Sequence, residues 1–205
     1  MRNIPNLLGV PLLASDCTFV SLADMPVSWD KEGNPVSYFR DLVWDFTDFS
    51  PKPKPCRLNF THWCVKPKSP STAEQMLIAE SKNIVFLVIF RRAGIPLSIT
   101  TVRHYFDLIV TLCRYALRTG VKLADVLSVD NIFINFLDAH EQSQLRSLAQ
   151  LVFTLQQFDC GELGFTAVGR TMLYQVRGRQ VEYRNGVGQR QHPPTTNSNL
   201  LRVYI

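Results

Sequence analysis

The strongest periodic signal in the chain lies between Ser98 and Gly120. Ile99, Val102, Phe106, Ile109, Val110, Cys113, Ala116 and Leu117 recur at the i, i+3, i+4, i+7 spacing of one buried helix face. Ser98 or Thr100 stands where an N-cap is needed and Gly120 where a left-handed stop is needed, so the spacing predicts a long amphipathic helix. Upstream, Ser71-Thr-Ala-Glu74 has the Ser-x-x-Glu spacing of a capping box and leads into Met76, Leu77, Ile84 and the run from Phe86 to Phe90. Arg91, Arg92 and Gly94 close that helix, and Pro96 prevents its continuation. Downstream, Leu123 to Leu127 reads as a short turn. Ser128 or Asp130 then caps a helix through about His140, and a further helix runs from about Ser143 to Phe158 with Leu145, Leu148, Leu151, Val152 and Leu155 on its apolar face. Four helices joined by short connections predict a small bundle.

The flanks read differently. Pro5, Pro11, Pro26, Pro35, Pro51, Pro53, Pro55, Pro67 and Pro70 leave no room for a long helix in residues 1–70. Aromatic clusters around Tyr38-Phe39, Trp44, Phe46, Phe60 and Trp63 are nevertheless too dense for a disordered tail. This segment is expected to form turns and short extended pieces whose aromatic residues anchor it to the helices. After Asp159, glycines at 161, 164, 169, 178, 186 and 188 break every element except a short one over 171–176. Residues 191–199 have linker composition and run into the apolar-basic stretch 200–205. The expected organisation is therefore mainly α: an irregular proline-rich segment at 1–70, a helical bundle at 71–158 and a Gly/Pro-rich tail at 159–205.

Charge adds a direction. The net charge is +5, and residues 91–122 hold six cations (Arg91, Arg92, Arg103, Arg114, Arg118, Lys122) against Asp107, a balance of +5. Residues 123–158 lean acidic, which gives a folded bundle a basic face and an acidic back. At about 100° per residue, Arg103, Arg114 and Arg118 fall on one edge beside the apolar stripe, and Asp107 shares that edge. Such a row suits an anionic partner.

Other chemistry is thin. Five widely spaced cysteines without a Cys-x-x-Cys pair argue against a disulfide framework and a zinc ribbon, and favour a reducing, cytoplasmic setting. Cys56, His62 and Cys64, even joined by Cys17, fit no common zinc spacing, so no metal is expected. Glycine-rich phosphate loops are absent, so no small-molecule cofactor is expected. The N-terminus lacks the pattern of a signal peptide, and the longest apolar run, Ile84 to Phe90, is far short of the roughly 20 residues that span a bilayer.

The series Thr101 to Tyr105, Arg114-Tyr115, Gly120, Ala124-Asp125-Val126-Leu127-Ser128, Phe136-Leu137 and Arg146-Ser-Leu148 resembles the N-terminal core-binding domain of tyrosine recombinases, the phage-integrase family. The resemblance covers roughly residues 72–158. It implies a SAM-like helical bundle that clamps duplex DNA, with Arg103, His104, Arg114, Arg118, Lys122, Arg91 and Arg92 near phosphates and Tyr105 or Tyr115 near a sugar or base edge. Other recombinase protomers would be further partners. The family's catalytic domain supplies an arginine, a His-x-x-Arg pair and a nucleophilic tyrosine. No histidine here has that spacing, and Tyr204 lacks activating partners, so the resemblance implies DNA binding without strand cleavage and a tail leading toward a catalytic domain outside these residues. Five phosphate contacts predict that log K falls with log salt with a slope on the order of −4 to −5. The competing expectation is a protein-interaction or structural module of mobile-element origin whose basic edge is only solvated.

Overall fold

The computed structural model describes residues 21–50, 54–91, 97–140 and 145–168. Among them lie six helices and two small antiparallel sheets, a mainly α protein. Arg92, Gly94, Pro96, Ser143, the expected element at 171–176, the linker at 191–199 and Tyr204 lie outside the described residues.

Helix α1 spans Thr72–Phe90. It begins where the capping box places it: Ser71 Oγ accepts from the Glu74 N–H, and Glu74 Oε2 accepts from the Ser71 N–H at 2.7 Å. Helix α2, Ile99–Thr119, is capped by Ser98, whose Oγ accepts from the Thr101 N–H at 3.2 Å, and stops at Gly120 with φ +71°. Both boundaries agree with the sequence reading.

The burial of α2 is wider than its periodicity suggests. Tyr105, Leu108, Leu112 and Tyr115 are buried as well as the expected stripe, of which Leu117 is half-buried, because α2 packs against α1 on one side and against α3 (Leu123–Ser128) and α5 (Leu145–Leu155) on others. It is the central helix, solvated along one narrow strip. Residues 123–127, expected as a turn, are part of the one-and-a-half-turn helix α3, and α4 follows over Asp130–Asp138. Glu80 of α1 holds α3 in place: its Oε2 accepts from the Leu123 N–H at 2.8 Å, so one helix caps another. A further helix that the periodicity does not reveal, α6 (Cys160–Leu163), starts at Asp159, whose Oδ1 accepts from the Glu162 N–H at 2.8 Å. The chain then folds back, and the Val168 N–H donates to the Leu127 carbonyl at 2.7 Å.

Within the proline-rich segment the short extended pieces are two hairpins. Strand β1 (Pro26–Trp29) pairs with β2 (Pro35–Tyr38), and β3 (Val43–Asp45) with β4 (Arg57–Asn59). Pro26 and Pro35 each occupy the first position of a strand, where the missing N–H costs least. Asp30 folds the first turn by accepting from the Glu32 and Asn34 N–H groups, with Gly33 at φ +90°. The aromatic residues then tie the hairpins to the helices. Trp44 meets Phe60 at 4.8 Å between ring centroids, Phe60 meets Phe106 of α2 at 5.1 Å, and Phe39 meets Phe86 of α1 at 5.5 Å, all within one continuous core.

Candidate nucleic-acid interface

The solvated strip of α2 carries Thr100, Arg103, His104, Asp107, Arg114 and Arg118, all exposed. Fifteen residues at a rise of 1.5 Å separate Arg103 from Arg118, so the strip is about 22 Å long. The remaining circumference is covered by hairpins and helices, so α2 cannot enter a groove as a recognition helix does. It can only lay its strip across a surface.

Along the strip the cations are not equivalent. Arg103 Nε lies 3.2 Å from Asp107 Oδ1, the pairing that the shared edge suggested, and Arg103 Nη1 donates to the Arg57 carbonyl of β4 at 2.8 Å. Arg103 therefore binds the second hairpin to α2 and is partly neutralised. Arg114 has no ion pair or hydrogen bond among the described residues. Arg118 stands 5.6 Å from the centroid of the Tyr115 ring, its charge uncompensated by any carboxylate within salt-bridge distance among the described residues. Lys122 is exposed at the start of α3, and both it and Asp125 are close enough to Glu80 to act on it electrostatically. His104 is exposed on the strip.

Two expected contacts do not stand on this surface. Tyr105 is 6% exposed and Tyr115 is 7% exposed, since both rings turn into the core; Tyr115 packs edge-on against Phe136 at 5.3 Å. Neither offers a face to a sugar or base. Arg91 is distant in role, because its Nη2 lies 3.1 Å from Glu162 Oε1 and joins the end of α1 to α6. On this strip the open positive charge is thus concentrated on Arg114 and Arg118, with Lys122 beyond them near Glu80.

The sequence holds a second group of cations before α1 that the sequence reading passed over. Residues 49–73 contain Lys52, Lys54, Arg57, Lys66 and Lys68 and no acid, a balance of +5 equal to that of 91–122. Counting charge in fixed windows hid it, because the acids of residues 1–48 offset it in any wider sum. Arg57 is exposed and its Nε bonds Asp45 Oδ2 at 2.7 Å; Lys54, Lys66 and Lys68 are exposed.

Three of the cysteines are kept from acting as nucleophiles. Burial raises the thiols of Cys56 and Cys113, and pushes Cys64 up to about 11, which keeps them protonated. Among the described residues no three or more His, Cys, Asp or Glu side chains converge to hold a metal ion, and no helix is long and apolar enough to cross a membrane. No protein-family model, curated protein or solved structure matches the chain.

Proposed function

We propose that this protein is a DNA-binding helical module of the tyrosine-recombinase core-binding type, a bundle of α1, α2, α4 and α5 that grips duplex DNA through phosphates without cleaving it. The observation that carries the reading is the exposed strip of α2, where Arg114 and Arg118 stand free of carboxylates and Lys122 follows. A guanidinium left without an acid is available for bidentate contact with phosphate. The limited width of the strip favours backbone contact over base reading, so binding of this kind positions the protein without selecting a sequence.

Three contacts at about 0.9 each give this strip a share of about −2.7 in the slope of log K against log salt. The test is fluorescence anisotropy with a labelled duplex of mixed sequence between 50 and 200 mM salt. The variant R114A/R118A/K122A is expected to bind weakly, with a slope shallower by about 2.7 and an unchanged far-UV circular dichroism spectrum. Absence of binding by the natural chain at 50 mM salt, or a variant indistinguishable from it, would overturn the reading.

A further inference from the structure

The C-terminal ends of α2 and α4 meet around one ring, Tyr115. Helix α4 ends at Asp138, and His140, just beyond it, turns back so that its Nδ1 lies 2.8 Å from the carbonyl oxygen of Phe136. That oxygen is among the last four of α4, which have no partner inside the helix, so the imidazole caps the helix from its end. The half-buried His140 ring lies on Phe136, with 4.2 Å between centroids, and stands at 70° to Tyr115, 6.1 Å away. The guanidinium of Arg118 rests over the same Tyr115 ring, 5.6 Å from its centroid. Arg118 and His140 are thus no farther apart than those two separations laid end to end, about 12 Å, the axial rise of three to four phosphates of one strand at 3.4 Å each.

The bond to Phe136 also fixes the tautomer. A carbonyl can only accept, so Nδ1 carries a proton and the neutral ring presents a lone pair at Nε2, which repels phosphate. The protonated ring keeps its bond to Phe136 and turns Nε2, which has no hydrogen-bond partner among the described residues, into a charged donor. Around it, α2 contributes Arg118 across Tyr115 and α4 contributes the exposed Asp138, while Glu141 lies outside the described residues. Among the described residues no carboxylate pairs with His140. The negative end of the α4 dipole favours the protonated ring and Arg118 opposes it. A phosphate seated beside both removes that opposition, so phosphate and proton each favour the binding of the other.

We propose that His140 is a phosphate contact beside Arg118, made only when its ring is protonated, so that the grip on DNA tightens as pH falls. This rests on the DNA-binding reading and adds to it a residue outside α2. The experiment measures anisotropy with a labelled duplex at pH 6 and pH 8, between 50 and 200 mM salt, for the natural chain, H140Q and H140K. The natural chain should show a slope of log K against log salt steeper at pH 6 by up to about 0.9, and an affinity at 150 mM salt roughly tenfold higher than at pH 8. Any share of that gain due to the exposed His104 persists in H140Q, so the difference between the two chains is the readout. H140Q should lose most of the gain, and H140K, charged at both pH values, should bind at pH 8 about as tightly as the natural chain at pH 6. A histidine that only caps α4 would lower the melting temperature of H140Q and leave its pH gain whole, which overturns the proposal while a weakened R114A/R118A/K122A leaves the α2 reading standing. If H140Q does not fold, H140K decides, since binding at pH 8 no tighter than that of the natural chain overturns the contact. Failure of the natural chain to bind at either pH overturns both readings.

Discussion

Glu80 is the residue on which the joint between α1 and α3 turns. Its carboxylate supplies the acceptor that Lys122, at the N-cap of α3, does not, and burial raises its carboxyl above the usual range against the opposing pull of the Leu123 N–H and Lys122. A carboxyl raised on folding holds its proton more tightly in the native state. Stability therefore falls as pH climbs from the ordinary glutamate value of about 4.3 through the raised native one, and is level above it. Glu80→Gln keeps an oxygen for Leu123 and removes the titration, so its urea midpoint should lose less than that of the natural chain between pH 4 and pH 7. Glu80→Ala strips the acceptor and should cost about 1–2 kcal/mol at any pH in that range. Parallel pH curves for the natural chain and Glu80→Gln would contradict the assignment.

At the scale of elements, what the sequence could reveal follows from length and local chemistry. The ends of α1 and α2 were legible because Ser71, Glu74, Ser98 and Gly120 act within one turn of the backbone they cap. Gly120 makes this testable. A Cβ there meets nothing within 4 Å, so the cost of Gly120→Ala is backbone strain alone at φ +71°. It should be about 1–2 kcal/mol, or a few degrees of melting temperature, with Gly120→Asn milder because asparagine tolerates that conformation. A melting temperature for Gly120→Ala equal to that of the natural chain would show that the cap is not under this constraint. Elements shorter than two turns were not legible. Six residues of α3 and four of α6 are too few for a 3.6 period to show, although Asp159 and Glu162 already stood at capping distance. The hairpins escaped for a related reason: strands of three or four residues, with register irregularities between Pro26 and Trp29, leave no run of alternation to detect. On the candidate surface, periodicity placed Arg103, Arg114 and Arg118 together. It could not show that Tyr105 and Tyr115 turn inward, because the partners that bury them lie elsewhere in the chain.

For the whole molecule the central question is whether hairpins and helices are one cooperative unit, since Arg103 of α2 keeps its bond to the Arg57 carbonyl of β4 only if they are. The joint is aromatic. Phe60, fully buried, bridges Trp44 in the hairpins and Phe106 in α2, and α1 buries most of its length partly under Phe39 and Trp29. Cut away, the hairpins would leave the C-terminal half of α1, apolar all round from Ile84 to Phe90, partly facing water. The tryptophans make the question measurable, because Trp29, Trp44 and Trp63 are the only three in the chain and all belong to the hairpin layer, whereas far-UV circular dichroism reports mainly on the helices. One cooperative unit must give coincident thermal transitions by the two probes. Phe60→Ala removes the bridging ring and should cost about 3–4 kcal/mol, lowering both midpoints together by roughly 10 °C. A tryptophan transition that moved down alone, with the helical signal unshifted, would mean that the layers unfold independently.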